Sequence, residues 1–274
     1  MAVRVDGKAI AGELKRELIE TLQKEGLSPV LSVFVLTDDL ATEKFIALKQ
    51  RFAEDIGVRV SLVRLPETTT TEELVKAIGA AVPESQGIIV QFPLPPQIDR
   101  DAVRNAVPAD RDVDLISDAA LENFEKGSSV LLPPVVGALS EILKRYEISI
   151  AGKRVIVVGE GRLVGKPSAV WATFMGADVQ VVHEHTEDAA SIIQSAEVLI
   201  LGAGVPGLVT ADMVREGVVV LDAGTSEAAG RLAGDMDVSC VSKASLYTPV
   251  PGGMGPITVA MIFKNLLYLV RSRR

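Results

Sequence analysis

One lysine of this sequence lies within a helical stripe of otherwise apolar residues. Phe45, Lys49, Phe52 and Ile56 follow one another at spacings of four, three and four residues, which places them on one face of a predicted helix. Burial disfavours the charged form of an amine and lowers its pKa, so a lysine on such a face is suited to proton transfer. Periodicity alone favours the alternative, a lysine at the edge of the stripe that extends its amine into water.

A second set of polar residues lies in the same half of the chain, at the end of a strand and in a short acidic segment. Gln91 ends the predicted buried strand 87–91, and open α/β sheets bind ligands at that end of their strands. Three acids occupy five positions in Asp110-Arg111-Asp112-Val113-Asp114. A solvated turn is the alternative for the acids, and neither feature is specific by itself.

The second half contains a glycine-rich segment between a predicted strand and a predicted helix. Gly159, Gly161 and Gly165 have the spacing G-x-G-x-x-x-G, one residue longer than the usual dinucleotide-binding fingerprint. Glycines let the backbone turn tightly, and a helix N-terminus offers N–H groups to a phosphate. A plain strand-to-helix turn is the alternative, but the preceding strand favours nucleotide binding.

An acid follows on the next predicted strand. Glu184 ends that strand, where an acid accepts hydrogen bonds from ribose hydroxyl groups in NAD sites. The 2′-phosphate of NADP would meet like charge from Glu184 and Glu160, so the two glutamates favour NAD. The nearby basic side chains that could offset them are Arg162, Lys166, His183 and His185. An ordinary exposed glutamate is the alternative for Glu184.

A third segment, 248–258, holds three prolines and three glycines within eight residues before the last predicted helix. Such a loop is rigid and poor in side chains, so a flat ligand can lie against its backbone. A mere linker is the alternative, but this density of prolines and glycines favours a shaped loop.

Apolar strands and amphipathic helices that alternate along the chain position these residues. In the first half we predict a helix begun by Asp6 and ended by Gly26, strands at 31–36, 59–65 and 87–91, and helices at 41–56 and 72–81. In the second half we predict strands at 153–159, 178–182, 198–201 and 218–221, and helices at 139–146 and 257–270. Such alternation predicts mostly parallel sheets covered on both faces. The charged, turn-rich segment 110–134 is the predicted boundary between two α/β lobes.

Composition limits the classes of protein that remain. The 274 residues suffice for two ordinary domains, and 48% apolar with 23% charged residues excludes a disordered, collagen-like or coiled-coil chain. A net charge of −8 favours no nucleic-acid partner. The lone Cys240 indicates a reducing compartment. With no apolar signal core and no run near the ~20 apolar residues of a membrane span, we expect a cytoplasmic protein without membrane contact.

Taken in order, these segments resemble the bifunctional methylenetetrahydrofolate dehydrogenase/methenyltetrahydrofolate cyclohydrolases. The resemblance spans essentially the whole chain. Its most specific element is the run Pro249–Thr258, PVPGGMGPIT, which is close to the family's PVPGGVGPMT. The segments 65–69, 90–95 and 112–114 match further family segments in the same order.

The resemblance implies a role for individual residues. Lys49 matches the family's catalytic lysine, Gln91 the glutamine that tunes it, and Asp114 the acid that holds the pterin ring. The other implied contacts are Phe45, Pro251, Gly252 and Gly253 with the folate, and Gly159, Glu160, Gly161, Arg162, Gly165, Glu184 and Thr225 with the cofactor. No metal site is expected.

The resemblance also implies an architecture and an activity. It implies two α/β lobes with a cleft between them: a folate-binding catalytic domain of residues 1–119 plus 252–274, and a Rossmann-like NAD(P)-binding domain of residues 120–251. It implies oxidation of 5,10-methylenetetrahydrofolate with NADP or NAD, then hydrolysis to 10-formyltetrahydrofolate for one-carbon metabolism and purine biosynthesis. A homodimer is expected. NADP is the family default, so the two glutamates leave the choice of dinucleotide open.

Three departures from the family pattern leave the rate of hydrolysis and the choice of dinucleotide open. Phe45 lacks the hydroxyl of the family's tyrosine, Leu115 replaces a glycine, and Pro133–Ala138 lacks a threonine found near the cofactor. The alternative functions are a dehydrogenase-only member, a dehydrogenase of a small hydroxy or amino acid, and a non-catalytic nucleotide-binding regulator. The retained Lys49 argues against the first, and the proline-glycine loop against the second. Dinucleotide binding without turnover of any folate would identify the third.

Overall fold

The computed structural model describes residues 2–228 and 230–274. The chain forms two compact units, which we name by their main sheets. The six-stranded unit contains the chain up to Ala11 and Val135–Thr258, and the three-stranded unit contains Gly12–Pro134 and Val259–Arg274. Within the described residues, no helix combines the length and the apolar character needed to cross a bilayer.

The three-stranded unit is a small parallel α/β layer structure. Its strands are ordered β3-β2-β4, and both neighbouring pairs are parallel. The elements are α1 (Gly7–Glu25, from Gly12 onward), β2 (Val30–Val35), α2 (Leu40–Ile56), β3 (Arg59–Arg64), α3 (Thr71–Ala81), β4 (Gly87–Val90), α4 (Arg100–Asn105), α5 (Asp118–Glu125) and α9 (Met254–Ser272, from Val259 onward).

The sequence of this unit accounts for its layers. All six residues of β2 are buried, as expected of a central parallel strand covered on both faces. Helix α2 begins at Asp39, whose side chain accepts a hydrogen bond from the Thr42 N–H, and ends at Gly57, which adopts the left-handed conformation. These signals fix both ends of the helix that carries Lys49.

The six-stranded unit is an all-parallel sheet with a short antiparallel hairpin. The sheet order is β1-β11-β8-β7-β5-β6, and β9 pairs with β10 in the hairpin. The elements are β1 (Val3–Arg4), α6 (Pro134–Arg145), β5 (Arg154–Val158), α7 (Gly165–Phe174), β6 (Asp178–Val182), α8 (Ala189–Gln194), β7 (Val198–Leu201), β8 (Val218–Asp222), β9 (Ser226–Ala228), β10 (Arg231–Ala233) and β11 (Ala244–Tyr247).

The predicted fold class is confirmed, and most predicted elements agree with the structure to within a few residues. The predicted boundary segment 110–134 differs from expectation because it contains α5, capped by Ser117. The compact units also differ in extent from the predicted functional domains. Residues up to Ala11 belong to the six-stranded unit because β1 pairs with β11, whereas residues 120–134 belong to the three-stranded unit. The functional division itself stays a prediction.

Candidate functional site

The amine of Lys49 is enclosed by the three-stranded unit. Lys49 is only 6% exposed, and its Nζ donates a hydrogen bond of 2.7 Å to Oε1 of Gln91. The interpretation favoured by periodicity, an amine that extends into water, is therefore wrong. The packing of the rest of the stripe explains this, since Phe52 and Ile56 are also buried and Phe52 stacks on Phe263 with ring centroids 5.1 Å apart.

Gln91 is held in place by its own backbone and side chain. Its N–H continues the sheet by donating to the Phe34 carbonyl at 2.9 Å, and its Nε2 donates to the Phe92 carbonyl at 2.8 Å. The second bond orients the amide so that Oε1 faces Lys49. Gln91 thus lies at the carboxyl end of β4, where the sequence predicts a ligand site.

The two aspartates of the 112–114 segment have different environments. Asp112 is fully buried, and its carboxylate accepts hydrogen bonds from the backbone N–H groups of Ile116 (3.1 Å) and Ser117 (2.8 Å) and from the Ser117 hydroxyl (2.7 Å). It therefore fixes the turn that follows. The half-buried Asp114 has its carboxylate in the field of Lys49. The solvated-turn interpretation fails for Asp112.

Strand register places Asp112 beside β4. Ile88 of β4 and Asp112 form an isolated parallel bridge, so the chain at Asp112 runs beside β4 in the same direction. The chain turns at residues 113–114, and the charge of Asp114 acts on Lys49, whose amine is bonded to Gln91. Lys49, Gln91 and Asp114 therefore lie near the carboxyl end of β4, and their roles stay predictions.

Burial governs the charge states of this cluster. Burial lowers the pKa of Lys49, and the attraction of Asp114 only partly opposes this. Burial likewise raises the pKa of Asp114; the charge of Lys49 lowers it, and Asp112 raises it further. Both shifts favour the neutral forms, so the cluster holds an amine and a carboxyl group whose charged forms are disfavoured, as at many proton-transfer sites.

Phe45 lies one helical turn before Lys49 on the same face of α2 and is half-buried. A partly exposed aromatic ring beside the amine provides a surface on which a flat ring can stack. Its predicted contact with folate stays a prediction.

The glycine-rich segment surrounds a cavity in the six-stranded unit. The cavity of about 470 Å³ lies at the carboxyl ends of β5, β6 and β7. A Cβ atom on Gly159 would lie 2.6 Å from the Gly202 carbonyl oxygen, and one on Gly165 would collide with the carbonyl of Gly159. The two glycines permit this close approach of backbone, and α7 begins without a side-chain cap on its N–H groups. The residues present therefore fit a dinucleotide.

Four of the predicted cofactor residues line this cavity: Gly159, Glu160, Gly161 and Glu184. Arg162, Gly165 and Thr225 are not among the described residues that line it. Gly165 instead lies against Gly159, while the cofactor contacts of Arg162 and Thr225 stay predictions. No group of three His, Cys, Asp or Glu side chains within the described residues is placed to hold a metal ion.

The proline-glycine loop belongs to the six-stranded unit. The Gly7 N–H donates to the Gly252 carbonyl at 3.1 Å, and the Gly253 N–H donates to the Pro249 carbonyl at 2.8 Å. The peptide bond between Val250 and Pro251 is cis. The loop is therefore shaped and anchored, and the linker interpretation is wrong. The predicted folate contacts of Pro251, Gly252 and Gly253 stay predictions.

Several cavity residues are absent from the sequence-based prediction of the site. Gly202, Ala203 and Val205 form part of the wall after β7, and His183 lies beside Glu184. Three glycines lie within six residues after β7, at positions 202, 204 and 207. They were the available signal, because β7 pairs with β5 and the carboxyl ends of the two strands lie side by side. The strand order needed to use that signal is not visible in the sequence.

Two family profiles match the chain. One, described as the tetrahydrofolate dehydrogenase/cyclohydrolase catalytic domain, matches residues 5–114. The other, described as the NAD(P)-binding domain of the same enzymes, matches residues 133–274.

Individual relatives cover almost the whole chain. It is 35% identical to a "Bifunctional protein FolD" of Lactobacillus delbrueckii subsp. bulgaricus over 98% of this chain and 97% of the relative. A solved FolD methylenetetrahydrofolate dehydrogenase/cyclohydrolase from Campylobacter jejuni superposes with a TM-score of 0.94 at 32% identity, covering 100% of both chains. The Trypanosoma brucei enzyme, solved with NADP and an inhibitor, has a TM-score of 0.92 at 32% identity, covering 100% of this chain and 99% of its own.

Proposed function

Because the chain belongs to the tetrahydrofolate dehydrogenase/cyclohydrolase family, we propose a division of its two activities between the sites described above. The enzyme oxidises 5,10-methylenetetrahydrofolate with NAD(P) and hydrolyses the methenyl product to 10-formyltetrahydrofolate. The cavity of the six-stranded unit receives the dinucleotide, and the Lys49 cluster of the three-stranded unit performs the hydrolysis. The observation that carries this proposal is the buried Lys49 amine held by Gln91 at 2.7 Å.

In the hydrolysis, Lys49 acts as the base and then the acid. Its neutral amine accepts a proton from the water that attacks the methenyl carbon. The resulting ammonium donates a proton to the ring nitrogen whose bond to that carbon breaks, and the hydroxyl proton leaves to solvent. Gln91 keeps the amine oriented through both steps, and Asp114 holds the pterin ring and adjusts the charge of Lys49.

In the oxidation, the protein's contribution is binding and orientation rather than acid–base chemistry. The bound dinucleotide supplies the hydride acceptor. Gly159 and Gly165 let the backbone segments around the cavity pack closely against each other, and Phe45 contacts the folate.

Replacing Lys49 by Met tests the assignment of hydrolysis. Lys49→Met should lower methenyl hydrolysis by at least about 100-fold, which is the contribution typical of a general acid–base residue. Folate affinity and dinucleotide reduction should change little. The matched control is Lys44→Met, which removes another lysine of α2 outside the cluster. Hydrolysis at the wild-type rate in Lys49→Met would overturn the assignment.

We propose further that the enzyme prefers NAD to NADP. Glu160 and Glu184 both line the cavity, and the extra phosphate of NADP brings about two negative charges toward them. Like charges repel, but the Glu184 side chain is 85% exposed, so relieving this contact is worth about fivefold in affinity, as for charges that interact through water. The expected result is a higher kcat/KM with NAD in the wild-type enzyme.

Glu184→Gln tests the charge effect directly. This variant should improve kcat/KM with NADP by about fivefold while changing kcat/KM with NAD much less. Glu187→Gln is the matched control, because Glu187 lies on the same loop but not among the described residues lining the cavity. A wild-type preference for NADP that Glu184→Gln leaves unchanged would contradict the proposal.

We propose a homodimer formed along the edge strand β6. β6 is a five-residue edge, whereas the opposite edge strand, β1, has only two residues. Beside β6, at the end of α7, Phe174 and Met175 are 54% and 50% exposed. An unpaired strand flanked by exposed apolar side chains is a surface that a second copy of the chain can cover.

Sedimentation or light scattering tests the dimer. Phe174→Glu should shift the mass toward the monomer at micromolar concentration, while Val130→Glu, at an exposed apolar residue of the other unit, should not. A dimer that survives Phe174→Glu with unchanged affinity would place the interface elsewhere.

The proposed compartment is the cytoplasm. Cys240 is fully buried, its Sγ donates to the Val209 carbonyl at 3.2 Å, and burial raises the pKa of the thiol to about 11. Such a thiol is inert, and it is the chain's single cysteine. The stability of the fold therefore owes nothing to an intrachain disulfide.

A further inference from the structure

Two buried aspartates lie behind the dinucleotide cavity without lining it. Asp222 ends β8 and is 1% exposed, and Asp235 follows β10 and is 0% exposed. Neither has a part in the reactions described above. Buried carboxylates are costly unless they are well hydrogen-bonded, so their partners indicate what they hold.

The partners of Asp235 are three consecutive backbone N–H groups. Oδ2 accepts from Ala203 at 2.6 Å and from Gly204 at 3.0 Å, and Oδ1 accepts from Val205 at 2.8 Å. Ala203 and Val205 line the dinucleotide cavity. A single carboxylate therefore sets the conformation of the wall segment 203–205.

Asp235 is itself held in one position. A Cβ atom on Gly224 would collide with the Asp235 carboxylate, so the carboxylate lies directly against the backbone there. Asp222 fixes both flanking segments, since its Oδ1 accepts from the Gly224 N–H and its Oδ2 from the Met236 N–H, each at 2.9 Å.

Two further hydrogen bonds reach the wall segment within the described residues, and one of them is local, from the Leu208 N–H to the Val205 carbonyl at 3.2 Å. The Ser226 hydroxyl donates to the Gly204 carbonyl at 2.7 Å from the surface side. Asp235 therefore holds the segment through its N–H groups and Ser226 through a carbonyl. The two supports can be removed independently.

We propose that Asp235 is a positioning residue of the dehydrogenase, which holds segment 203–205 in the conformation that binds the dinucleotide. This inference rests on the proposed use of the cavity as the dinucleotide site. Asp235 acts through the backbone it holds and does not touch the substrate or the reacting atoms. Its effect is therefore confined to the oxidation and leaves the hydrolysis at Lys49 unchanged.

The test compares Asp235→Asn with Asp237→Asn. The asparagine keeps one acceptor oxygen but turns an NH2 group toward backbone N–H groups, so at least one buried N–H loses its partner. Asp237 caps Ser239 on the same chain segment and serves as the matched control for loss of a carboxylate. Both are assayed with the dinucleotide that the unchanged enzyme reduces faster.

Asp235→Asn should raise the KM and the Kd for the dinucleotide by about tenfold or more. Hydrolysis of methenyltetrahydrofolate should stay within twofold of wild type. Hydrogen exchange of the 203–205 amides should accelerate in this variant alone. A folded Asp235→Asn variant with unchanged dinucleotide affinity, or with both activities lowered equally, would overturn the inference.

Ser226→Ala decides the question if Asp235→Asn does not fold. It removes the side-chain hydrogen bond from Ser226 to the segment at a partly exposed position and should also raise the dinucleotide KM, by a smaller factor. An unchanged KM would count against the importance of the segment and overturn the inference. If the unchanged enzyme reduces neither NAD nor NADP, the proposed function itself fails, and the inference falls with it.

Discussion

The fold keeps the amine of Lys49 out of water, and none of the ion pairs found among the described residues joins it to a carboxylate. Its hydrogen bond goes to the neutral Gln91, and Asp114 acts on it only through its electric field. A glutamine oxygen accepts a hydrogen bond from the amine form as well as from the ammonium form. The pair therefore keeps its geometry while Lys49 changes charge, as a residue that first accepts and then donates a proton requires.

The pH dependence of hydrolysis follows from this arrangement. Burial lowers the pKa of Lys49 from its ordinary value of 10.5. As pH rises, the neutral amine therefore becomes the major form before pH 10.5 is reached. After subtraction of the Lys49→Met background, the rate should rise with pH and level off below that value. Lys49→Arg, which stays charged, should show no such rise. A pH-independent rate in the wild type would exclude the amine as the base.

Leu115 is a second residue whose environment makes a prediction. It adopts a left-handed conformation with φ of 54°, yet its side chain is buried at 4% exposure. Truncation to Ala or Gly loses the same buried side chain, but only Gly relieves the backbone strain. Leu115→Gly should therefore be more stable than Leu115→Ala by about 1 kcal/mol, the reverse of the usual order. Urea denaturation of the two variants measures the difference, and equal stabilities would show that the conformation relaxes.

Single residues differ in how far their roles can be predicted from the sequence. Lys49 and Gln91 stand out in the sequence because a polar residue in an apolar stripe or at a strand end departs from a local pattern, but periodicity alone placed the Lys49 amine in water, and only the family resemblance implied their roles. Asp112 and Asp235 were not, because their partners are backbone N–H groups whose positions depend on tertiary structure. Asp235 binds a segment about 30 residues away in sequence.

Secondary-structure elements were predictable where the pattern is long and local. β2, α2 and β5 have continuous apolar runs or clear helical periodicity, and their predicted bounds agree with the structure. The strands β1, β9, β10 and β11 were missed, because they have only two to four residues and lack the continuous buried apolar run by which the four-residue strands β4 and β7 were predicted. The order of the strands in the six-stranded sheet also has no signal in a single sequence.

At the end of β8, Asp222 makes stability depend on pH. Burial raises its pKa from 3.8 to about 6, and the neighbouring Asp235 adds to the rise. Between these values the folded protein keeps a proton that the unfolded chain releases, so the free energy of unfolding falls as pH rises. Across the full shift, the free energy of unfolding falls by about 3 kcal/mol. The fall is complete above pH 6.

Asp222→Asn isolates this contribution. The difference in free energy of unfolding between wild type and variant, measured in urea from pH 4 to 7, should move against the wild type as pH rises to about 6 and then become constant. Surface acids whose pKa values are lowered, such as Glu25 and Glu43, make the free energy of unfolding rise with pH. They do so equally in wild type and variant, so their contributions cancel in the difference. Parallel curves would show that Asp222 titrates normally.

For the molecule as a whole, the helices α1 and α9 each place several residues in both compact units. α1 has residues in the six-stranded unit up to Ala11 and in the three-stranded unit beyond it, and α9 changes units after Thr258. A helix forms cooperatively, so unfolding of one unit unravels residues that the other needs. The two units should therefore unfold in one transition.

Two probes test this cooperativity. Fluorescence of Trp171, the single tryptophan, reports on the six-stranded unit, while far-ultraviolet circular dichroism reports on both units. Their unfolding curves should coincide. A dinucleotide present at 100 times its Kd should shift both by about 2.7 kcal/mol. A second dichroism step that the dinucleotide leaves in place would show that the units unfold separately.

The pairing of β1 with β11 has a consequence for synthesis on the ribosome. Val3 lies beside Leu246 and Arg4 beside Tyr247. β1 is the first of the described strands to be translated, and its pairing partner β11 is made about 240 residues later. At 5–20 residues per second, that wait lasts on the order of tens of seconds. The three-stranded sheet, whose strands all lie before Gln91, is translated long before this partner. The nascent chain therefore exposes β1 unpaired for most of its translation, and an early translational stop leaves the edge of the larger sheet without its closing strand.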